Sequence, residues 1–192
     1  MKHLAIIKAP VQIRLEDFTL SGEPIAYQTR AMKEVASIFR DQIAARAIAP
    51  ETSVYAVQSW LPVAEGTQGA LFFGVSTIMP GKVGNEYFMT KGHFHLKSDR
   101  AEFYWGVAGK GMLILMDQNN NTWGEEVSPG SLHYIGGNTA HRLANTGDCE
   151  LIVGACWPAD AGHDYETIAQ NGFTARLLEI DGSPKFVQNS DW

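Results

Sequence analysis

Residues 92–111 read GHFHLKSDRAEFYWGVAGKG, and this stretch decides how the rest of the chain is interpreted. His93 and His95 are two residues apart, so on an extended strand both imidazoles point to the same face, as two adjacent ligands of one metal ion require. A His-x-His pair alone is more often hydrogen bonded than metal bound. Glu102, which opens the next strand after a polar loop, offers a carboxylate beside the pair and strengthens the case for a metal site.

A third histidine completes the set of ligands. His141 follows turn residues at 136–138, which place it at one end of a strand. His133 competes for this role, and we prefer His141 because of the preceding turn; His133 is then a structural histidine. Four protein ligands leave positions open on a five- or six-coordinate ion, which predicts chemistry rather than a structural role. Such a ligand set suits iron(II), manganese, nickel or zinc: His93, His95, Glu102 and His141.

Outward from this stretch, short apolar runs alternate with turn residues from about Val54 onward. Their even spacing and the Gly or Asn residues between them predict an all-β sandwich or small barrel. The predicted strands are Val54–Trp60, Gly69–Met79, Tyr87–His95, Glu102–Val107, Met112–Asp117, Thr122–Val127, Leu132–Ile135, His141–Asn145 and Glu150–Trp157.

The first 50 residues differ in character from the rest. Apolar residues between Arg30 and Ala47 recur at steps of three and four, which predicts a helix with Thr29 as its N-cap and Pro50 just beyond its end. We therefore expect an N-terminal arm and helix (1–50) packed on a barrel with a C-terminal segment (51–192), as a single domain overall. A short helix is also expected at Thr167–Asn171, ending at Gly172.

Composition narrows the classes of function. The chain has 192 residues, 45% of them apolar, a net charge of −6 and no basic excess, which disfavours nucleic acid or an anionic membrane as a partner. An anionic substrate must then be held by local donors. Cys149 and Cys156 form no CxxC pair and are expected to be buried thiols in a reducing compartment. No apolar stretch approaches the roughly 20 residues of a membrane span, so a cytoplasmic location is expected.

Longer motifs give a closer resemblance. The segment from His93 to Gly109, with His141 and Asn145, resembles the two motifs of the cupin superfamily. The proline usual before the histidine of the second motif is missing, and Gly136-Gly137-Asn138 stands there instead. Four further strings are PGKVG (80–84), EYFMTKGHFH (86–95), DRAE (99–102) and PADAGHDY (158–165). Together they resemble the cupin-type glucose-6-phosphate isomerase family.

The resemblance implies a fold, an activity and an assembly. The fold would be a cupin double-stranded β-helix barrel, assembled as a homodimer. The activity would be the interconversion of glucose 6-phosphate and fructose 6-phosphate, a step of glycolysis and gluconeogenesis, with one divalent metal per subunit. Iron(II) is typical of such enzymes, with manganese, zinc or nickel as alternatives. Whether mannose 6-phosphate is also accepted stays open.

The resemblance also implies roles for individual residues. Ser76, Thr90 and Gly92 would contact the phosphate, and His163 and Tyr165 would close over the sugar. Isomerisation proceeds either by proton transfer through an enediol or by a hydride shift, and the sequence leaves both open. In the first route Glu102 is the candidate base. Tyr104, two residues on, either orients Glu102 or the substrate, or simply packs in the barrel; His163 is a candidate acid or base for ring opening.

Two other functions remain compatible with the same residues. One is a different metal-dependent cupin enzyme, such as an iron(II) dioxygenase, which has no need of a phosphate site. The other is a non-catalytic sugar-binding cupin, which would bind its ligand without turnover. Loss of function on replacing Thr90 separates the isomerase from the first, and measurable turnover separates it from the second.

Overall fold

The computed structural model describes residues 7–22 and 24–189. The chain is mostly β, and the all-β prediction is confirmed. Three short helices, α1 to α3, interrupt fifteen strands in the described residues, numbered here in chain order. The elements are β1 (Gln12–Ile13), β2 (Leu20–Ser21), β3 (Ile25–Ala31), α1 (Met32–Val35), a 3-10 helix (Ala36–Ile38), α2 (Gln42–Ala47), β4 (Ser53–Trp60), β5 (Leu71–Ile78), β6 (Lys82–Val83), β7 (Glu86–Tyr87), β8 (Glu102–Ala108), β9 (Gly111–Met116), β10 (Thr122–Val127), β11 (Leu132–Ile135), β12 (Ala140–Asn145), β13 (Leu151–Pro158), α3 (Tyr165–Asn171), β14 (Ala175–Ile180) and β15 (Ser183–Gln188).

Two antiparallel sheets enclose the core. The larger has six strands in the order β11-β8-β13-β5-β4-β3, and the smaller has three in the order β10-β9-β12. Side chains from both sheets meet in one buried apolar cluster, which includes Ile78 and Val153 from the larger sheet and Leu113 and Leu143 from the smaller. Burial of this apolar surface is the main force that holds the sheets face to face.

A third sheet and α3 cover the outer face of the smaller sheet. Its order is β15-β14-β7-β6. Phe186 of β15 lies close to Met112 of β9 at Gly124, where an added Cβ would meet both side chains. Because successive side chains of a strand point to opposite faces, neighbouring residues of β12 point in opposite directions. One points into the space between the two main sheets, and the next points toward α3 and β14.

The predicted helix over Arg30–Ala47 is wrong as a continuous element. Arg30 belongs to β3, which pairs with β4 at the edge of the six-stranded sheet, and Thr29 is a strand residue rather than an N-cap. The helical region is split because the Asp41 carboxylate caps a new helix by accepting from the backbone N–H groups of Ile43 and Ala44. Met32, Val35 and Phe39 are buried, but Ile43 is exposed.

The predicted strand Tyr87–His95 is also shorter than expected. Regular pairing ends with β7 at Tyr87, and beyond it Met89, His93 and Phe94 each form a single bridge. Gly92 interrupts the ladder with a φ of +76°, a conformation that residues with a Cβ rarely adopt. The expected short helix near the C-terminus is confirmed as α3, and Gly172 ends it.

The two cysteines differ in exposure. Cys149 is exposed, so the expectation that it is a buried thiol is wrong, because it sits in the turn before β13. Cys156, within β13, is partly buried, and both thiols are free. In the described part of the chain, no helix has the length and hydropathy that crossing a membrane requires.

Candidate functional site

The four predicted ligands converge between the two main sheets. One donor atom from each of His93, His95, Glu102 and His141 lies within 4.8 Å of every other. His93 and His141 are held together by a pair of backbone hydrogen bonds, N–H of each to the carbonyl of the other, at 3.2 and 3.1 Å. Glu102 is the first residue of β8 in the opposite sheet. The preference for His141 over His133 therefore agrees with the geometry.

His133 is occupied elsewhere. Its Nδ1 lies 2.7 Å from Oε2 of Glu125, and its Nε2 lies 2.9 Å from Oγ of Ser131. The ring is buried with both nitrogens satisfied. This is the geometry of a structural histidine, as the sequence predicts.

The ligand atoms lack other partners. Nε2 of His93, His95 and His141 and Oε1 of Glu102 are buried without a hydrogen bond. Buried polar atoms are normally satisfied, so four such atoms at one point indicate a missing partner that accepts electron pairs. The residues thus fit a divalent cation.

In two of the imidazole rings, Nδ1 is hydrogen bonded to a backbone carbonyl, which leaves Nε2 to bind a metal. Nδ1 of His95 lies 2.9 Å from the carbonyl oxygen of Arg100, and Nδ1 of His141 lies 3.1 Å from that of Thr139. Because a carbonyl only accepts, each Nδ1 carries the proton and the neutral ring leaves Nε2 with its lone pair. Metal-binding histidines are commonly oriented in this way.

The separations of the ligand atoms agree with a shared ion. Oε1 of Glu102 is 2.5 Å from Nε2 of His141 and 3.5 Å from Nε2 of His95. Nitrogen and oxygen ligands lie about 2.0–2.2 Å from zinc, so two of them on one ion are roughly 3 Å apart when at right angles. The two measured separations lie on either side of this value.

Burial and neighbouring charges set the protonation states. Burial lowers the pKa of His93 well below its usual value, and the nearby His141, His163 and His95 lower it further. Burial would raise the pKa of Glu102, but His141 and His95 outweigh it and lower the pKa to about 2. For His95, burial lowers the pKa, but the contacts with Glu102 outweigh burial, and the pKa is raised. A neutral imidazole and an ionised carboxylate are the forms that bind metal.

A cavity of about 570 Å³ opens beside the cluster. Of the four ligands, His93 and Glu102 line its wall. The structure brings the remaining predicted site residues to the same cavity. These are Ser76, Thr90, Gly92, Tyr104, His163 and Tyr165.

His163 and Tyr165 lie over the metal ligands. Their rings are stacked with centroids 5.6 Å apart, and the His163 ring is 4.6 Å from that of His93. Burial, followed by the nearby His95, lowers the pKa of His163, so its ring is neutral near pH 7. A neutral imidazole at this position can accept or relay a proton.

Tyr104 reaches the same space from β8. Its ring meets that of His141 edge-on at a centroid distance of 5.7 Å, and burial raises its pKa well above 10. The phenol therefore stays protonated and its O–H is a donor. Tyr104 lines the cavity as Glu102 does, as expected for two residues on the same face of a strand.

Two of the predicted phosphate residues, Thr90 and Gly92, lie next to β12. The Thr90 hydroxyl accepts a hydrogen bond from the backbone N–H of Leu143 at 3.1 Å, so its own hydrogen is free to be donated. Gly92 has a positive φ, and an added Cβ would come within 2.9 Å of Nε of Arg142. Glycine is required there on both counts.

Sequence reasoning missed several residues of the cavity wall. Ala26, Gln28 and Arg30 line it from β3, and Tyr55, Glu65 and Trp157 line it from elsewhere. The signal was the alternation of residues 26, 28 and 30, which is typical of one face of a strand. It was overlooked because Arg30 was assigned to the start of a helix.

The chain is similar in sequence to known proteins over nearly its whole length. The family described as glucose-6-phosphate isomerase (GPI) matches residues 29–191. The glucose-6-phosphate isomerase of Thermococcus litoralis is 37% identical over 185 residues, covering 96% of this chain and 97% of that protein. That of Sinorhizobium medicae is 35% identical over 189 residues, covering 96% and 87%. A solved structure of oxalate oxidase is similar at 13% identity and a TM-score of 0.48, covering 60% and 56%.

Proposed function

Because this chain belongs to the glucose-6-phosphate isomerase family, we propose that it interconverts glucose 6-phosphate and fructose 6-phosphate with a divalent metal held by His93, His95, Glu102 and His141. The single observation that carries the metal dependence is the cluster of four buried, unpartnered ligand atoms at one end of a cavity. Family membership favours this function over the dioxygenase and the non-catalytic sugar-binding protein.

The cavity suits a phosphorylated hexose. Its volume of about 570 Å³ lies within the range of roughly 300–1,000 Å³ common for small-molecule sites. Its wall includes two of the metal ligands, His93 and Glu102, together with Ser76, Thr90 and Gly92. A substrate that carries a phosphate and two reacting oxygens can use both sets of groups.

The phosphate end relies on local donors, as expected for a chain of net charge −6. The free hydrogen of the Thr90 hydroxyl and the hydroxyl of Ser76 are the neutral donors. Arg30 and Lys91 also line the cavity and supply positive charge. Hydrogen bonds to a charged phosphate are stronger than those between neutral groups, so these residues fix the orientation of the sugar.

The metal would be iron(II) by family analogy, with manganese, zinc or nickel as alternatives. When bound, it supplies a Lewis acid that polarises the oxygens of the substrate and stabilises negative charge on them. The protein's own part is to orient the ligands: the carbonyl groups of Arg100 and Thr139 hold two imidazoles by their Nδ1 atoms. These bonds keep the proton on Nδ1, so that Nε2 is the nitrogen left to bind the metal.

Three side chains of the cavity have roles in proton transfer or hydrogen bonding to the substrate. His163, neutral and stacked on Tyr165, accepts or donates a proton during opening of the sugar ring. Glu102 is the candidate base for the carbon-bound proton, although a carboxyl with a pKa of about 2 is a weak base. Tyr104, whose O–H stays protonated, donates a hydrogen bond to Glu102 or to a sugar oxygen.

Assembly and location are further parts of the proposal. We expect a homodimer in the cytoplasm. A group of exposed apolar side chains on β8 and β11 supports an interface there, because such patches often mark protein contacts: Phe103, Trp105, Leu132 and Tyr134. The two free thiols support a reducing compartment. The sugar 6-phosphate is the proposed small-molecule partner.

A coupled assay tests the function directly. Fructose 6-phosphate is supplied to the purified chain, and formation of glucose 6-phosphate is followed before chelation, after exhaustive chelation and after addition of iron(II) or manganese. Activity should vanish on chelation and return with metal. Undiminished turnover after chelation would refute the metal dependence, and no turnover with any metal would refute the isomerase activity.

A further inference from the structure

A second cavity of about 350 Å³ lies on the other side of the smaller sheet. It is enclosed by β12, α3 and β14. His141 and Arg142 are consecutive on β12, so their side chains leave opposite faces of the sheet. His141 reaches the metal cluster, and Arg142 forms part of the wall of the second cavity.

This cavity carries an excess of positive charge. Its described lining includes two guanidinium groups, Arg142 and Arg176, against one carboxylate, Glu86, which leaves an excess of one positive charge without Lys91, which also lines the first cavity. Glu86 is already used: Oε1 accepts from Nη1 of Arg176 at 2.7 Å, and Oε2 accepts from the backbone N–H of Arg40 at 2.6 Å. The chain as a whole carries −6, so this local excess runs against its composition.

Arg142 forms no direct ion pair among the residues described, because Glu86, the carboxylate of the same wall, binds Arg176 and the backbone of Arg40. It is only 8% exposed and lies over the ring of Phe173, 4.3 Å from the ring centroid. Its terminal nitrogens donate to the sulfur of Met89 at 3.2 Å and to the carbonyl of Lys91 at 2.9 Å, both uncharged. Its Nε is buried without a partner. A buried cation without a direct ion pair is costly, so this surrounding favours an anionic ligand beside Arg142.

We propose that the second cavity binds a small oxyanion, a phosphate or carboxylate group, which serves as the counterion of Arg142. Guanidinium groups bind such planar or tetrahedral oxyanions through their N–H donors. Arg142 supplies donors from β12, and Arg176 supplies Nη2 from β14, since its Nε and Nη1 already bind Asn189, Ile38 and Glu86. The cavity volume limits the ligand to a small metabolite or inorganic ion. This is a site separate from the metal-containing cavity.

The two cavities share part of a wall. Lys91, Gly92 and Tyr165 line both, and the Arg142 side chain packs directly behind Gly92. An anion beside Arg142 therefore reduces the positive potential at the segment that we propose for the substrate phosphate. Bound anion is expected to raise the KM for fructose 6-phosphate with little effect on kcat. This coupling rests on the proposed function, whereas the anion site itself does not.

Calorimetric titration of the full chain with inorganic phosphate tests the site. Wild type should bind two phosphates, one in each cavity. Thr90→Val should remove the one in the catalytic cavity. Ser37→Glu places a carboxylate at an exposed position in the wall of the second cavity, and should weaken its phosphate by about tenfold or more. Ser37→Gln, of similar size without the charge, should bind as wild type does.

The outcomes separate the two proposals. One phosphate in wild type, lost in Thr90→Val and unchanged in Ser37→Glu, would overturn the second site. If Thr90→Val binds two phosphates as wild type does, and Ser37→Glu loses one, the second site would be supported and the role of Thr90 refuted. Arg142→Met should abolish the second site, and Ser37→Glu keeps the test decisive if that variant fails to fold.

Discussion

Oε1 of Glu102 lies 2.5 Å from Nε2 of His141, although the two residues belong to different sheets. Glu102 begins β8 of the six-stranded sheet, and His141 lies on β12 of the three-stranded sheet. The ligand cluster therefore forms only when the two sheets face each other. On the proposed assignment, one ion ties the sheets together, so its binding free energy contributes to folding as well as to catalysis.

Removal of the metal should lower thermal stability. A ligand that binds only the native state at about 100 times its dissociation constant stabilises it by about 2.7 kcal/mol. We expect the melting temperature of wild type, measured by circular dichroism, to fall after chelation and to recover with iron(II) or manganese. His141→Ala should melt at one temperature with or without chelator. A wild-type melting curve that ignores the chelator would show that no ion bridges the sheets.

Replacing His141 and His133 should separate a ligand from a structural histidine. His141→Ala should lower metal affinity by at least about a hundredfold, because even replacing a partner of a ligand costs 10–100-fold. His133→Ala should keep its metal and lose about 1 kcal/mol of stability, because it removes the hydrogen bonds to Glu125 and Ser131. Metal content by plasma emission spectrometry is the measurement. Equal metal loss in both variants would contradict the assignment.

Thr90→Val should weaken phosphate recognition while keeping the shape of the side chain. Loss of a hydrogen bond to a charged group costs about 1.5–3 kcal/mol, so the KM for fructose 6-phosphate should rise by roughly tenfold or more. Steady-state kinetics should show a much smaller change in kcat. Thr77→Val is the matched control, since Thr77 follows Ser76 on β5 but does not line the cavity. An unchanged KM in Thr90→Val would place the phosphate elsewhere.

Strands bounded by strong turn signals were predictable from sequence. The bounds predicted for β10 and β11 match the structure, because Asn or Pro-Gly turns flank them. The hairpin of β14 and β15 was missed although Asp181-Gly182 joins them with positive φ at both residues, which is a strong hairpin signal. That signal lies in the sequence and was overlooked.

Other features depend on tertiary structure and leave little local trace. Met32, Val35 and Phe39 are buried and have helical spacing, yet the chain breaks between them and α2 because Asp41 caps a second helix. The four metal ligands were found because their residue types are unusual together. Arg142 looked like an ordinary strand residue, since its burial arises from α3 and β14 packing on the sheet.

Asp160 should act on the metal through the orientation of His95. Its carboxylate, 2% exposed, accepts hydrogen bonds from Lys97 at 2.7 Å and from Nε and Nη2 of Arg100 at 3.0 and 2.9 Å. The backbone carbonyl of Arg100 in turn accepts from Nδ1 of His95. Asp160→Asn should therefore lower metal affinity by about 10–100-fold, as measured by competition with a chelating dye.

The matched control is Asp99→Asn. Asp99 also pairs with Arg100, at 3.0 Å, but its side chain is 76% exposed, and exposed pairs contribute little. It should keep wild-type metal affinity. Similar affinity losses in both variants, or none in Asp160→Asn, would mean that this carboxylate does not position the ligand.

Acid should reveal a contribution of the Asp160 carboxylate to the stability of the fold. Arg100 and then Lys97 hold the pKa of its carboxyl well below the usual range. An unfolded Asp has a pKa of about 3.9, so near that pH the unfolded chain binds a proton that the native protein does not. The stabilisation is therefore full above about pH 4 and is lost as the pH falls further. Denaturant unfolding of the metal-free protein should show that the difference in free energy of unfolding between wild type and Asp160→Asn becomes smaller below that pH. A difference independent of pH would mean that the charge of Asp160 contributes nothing.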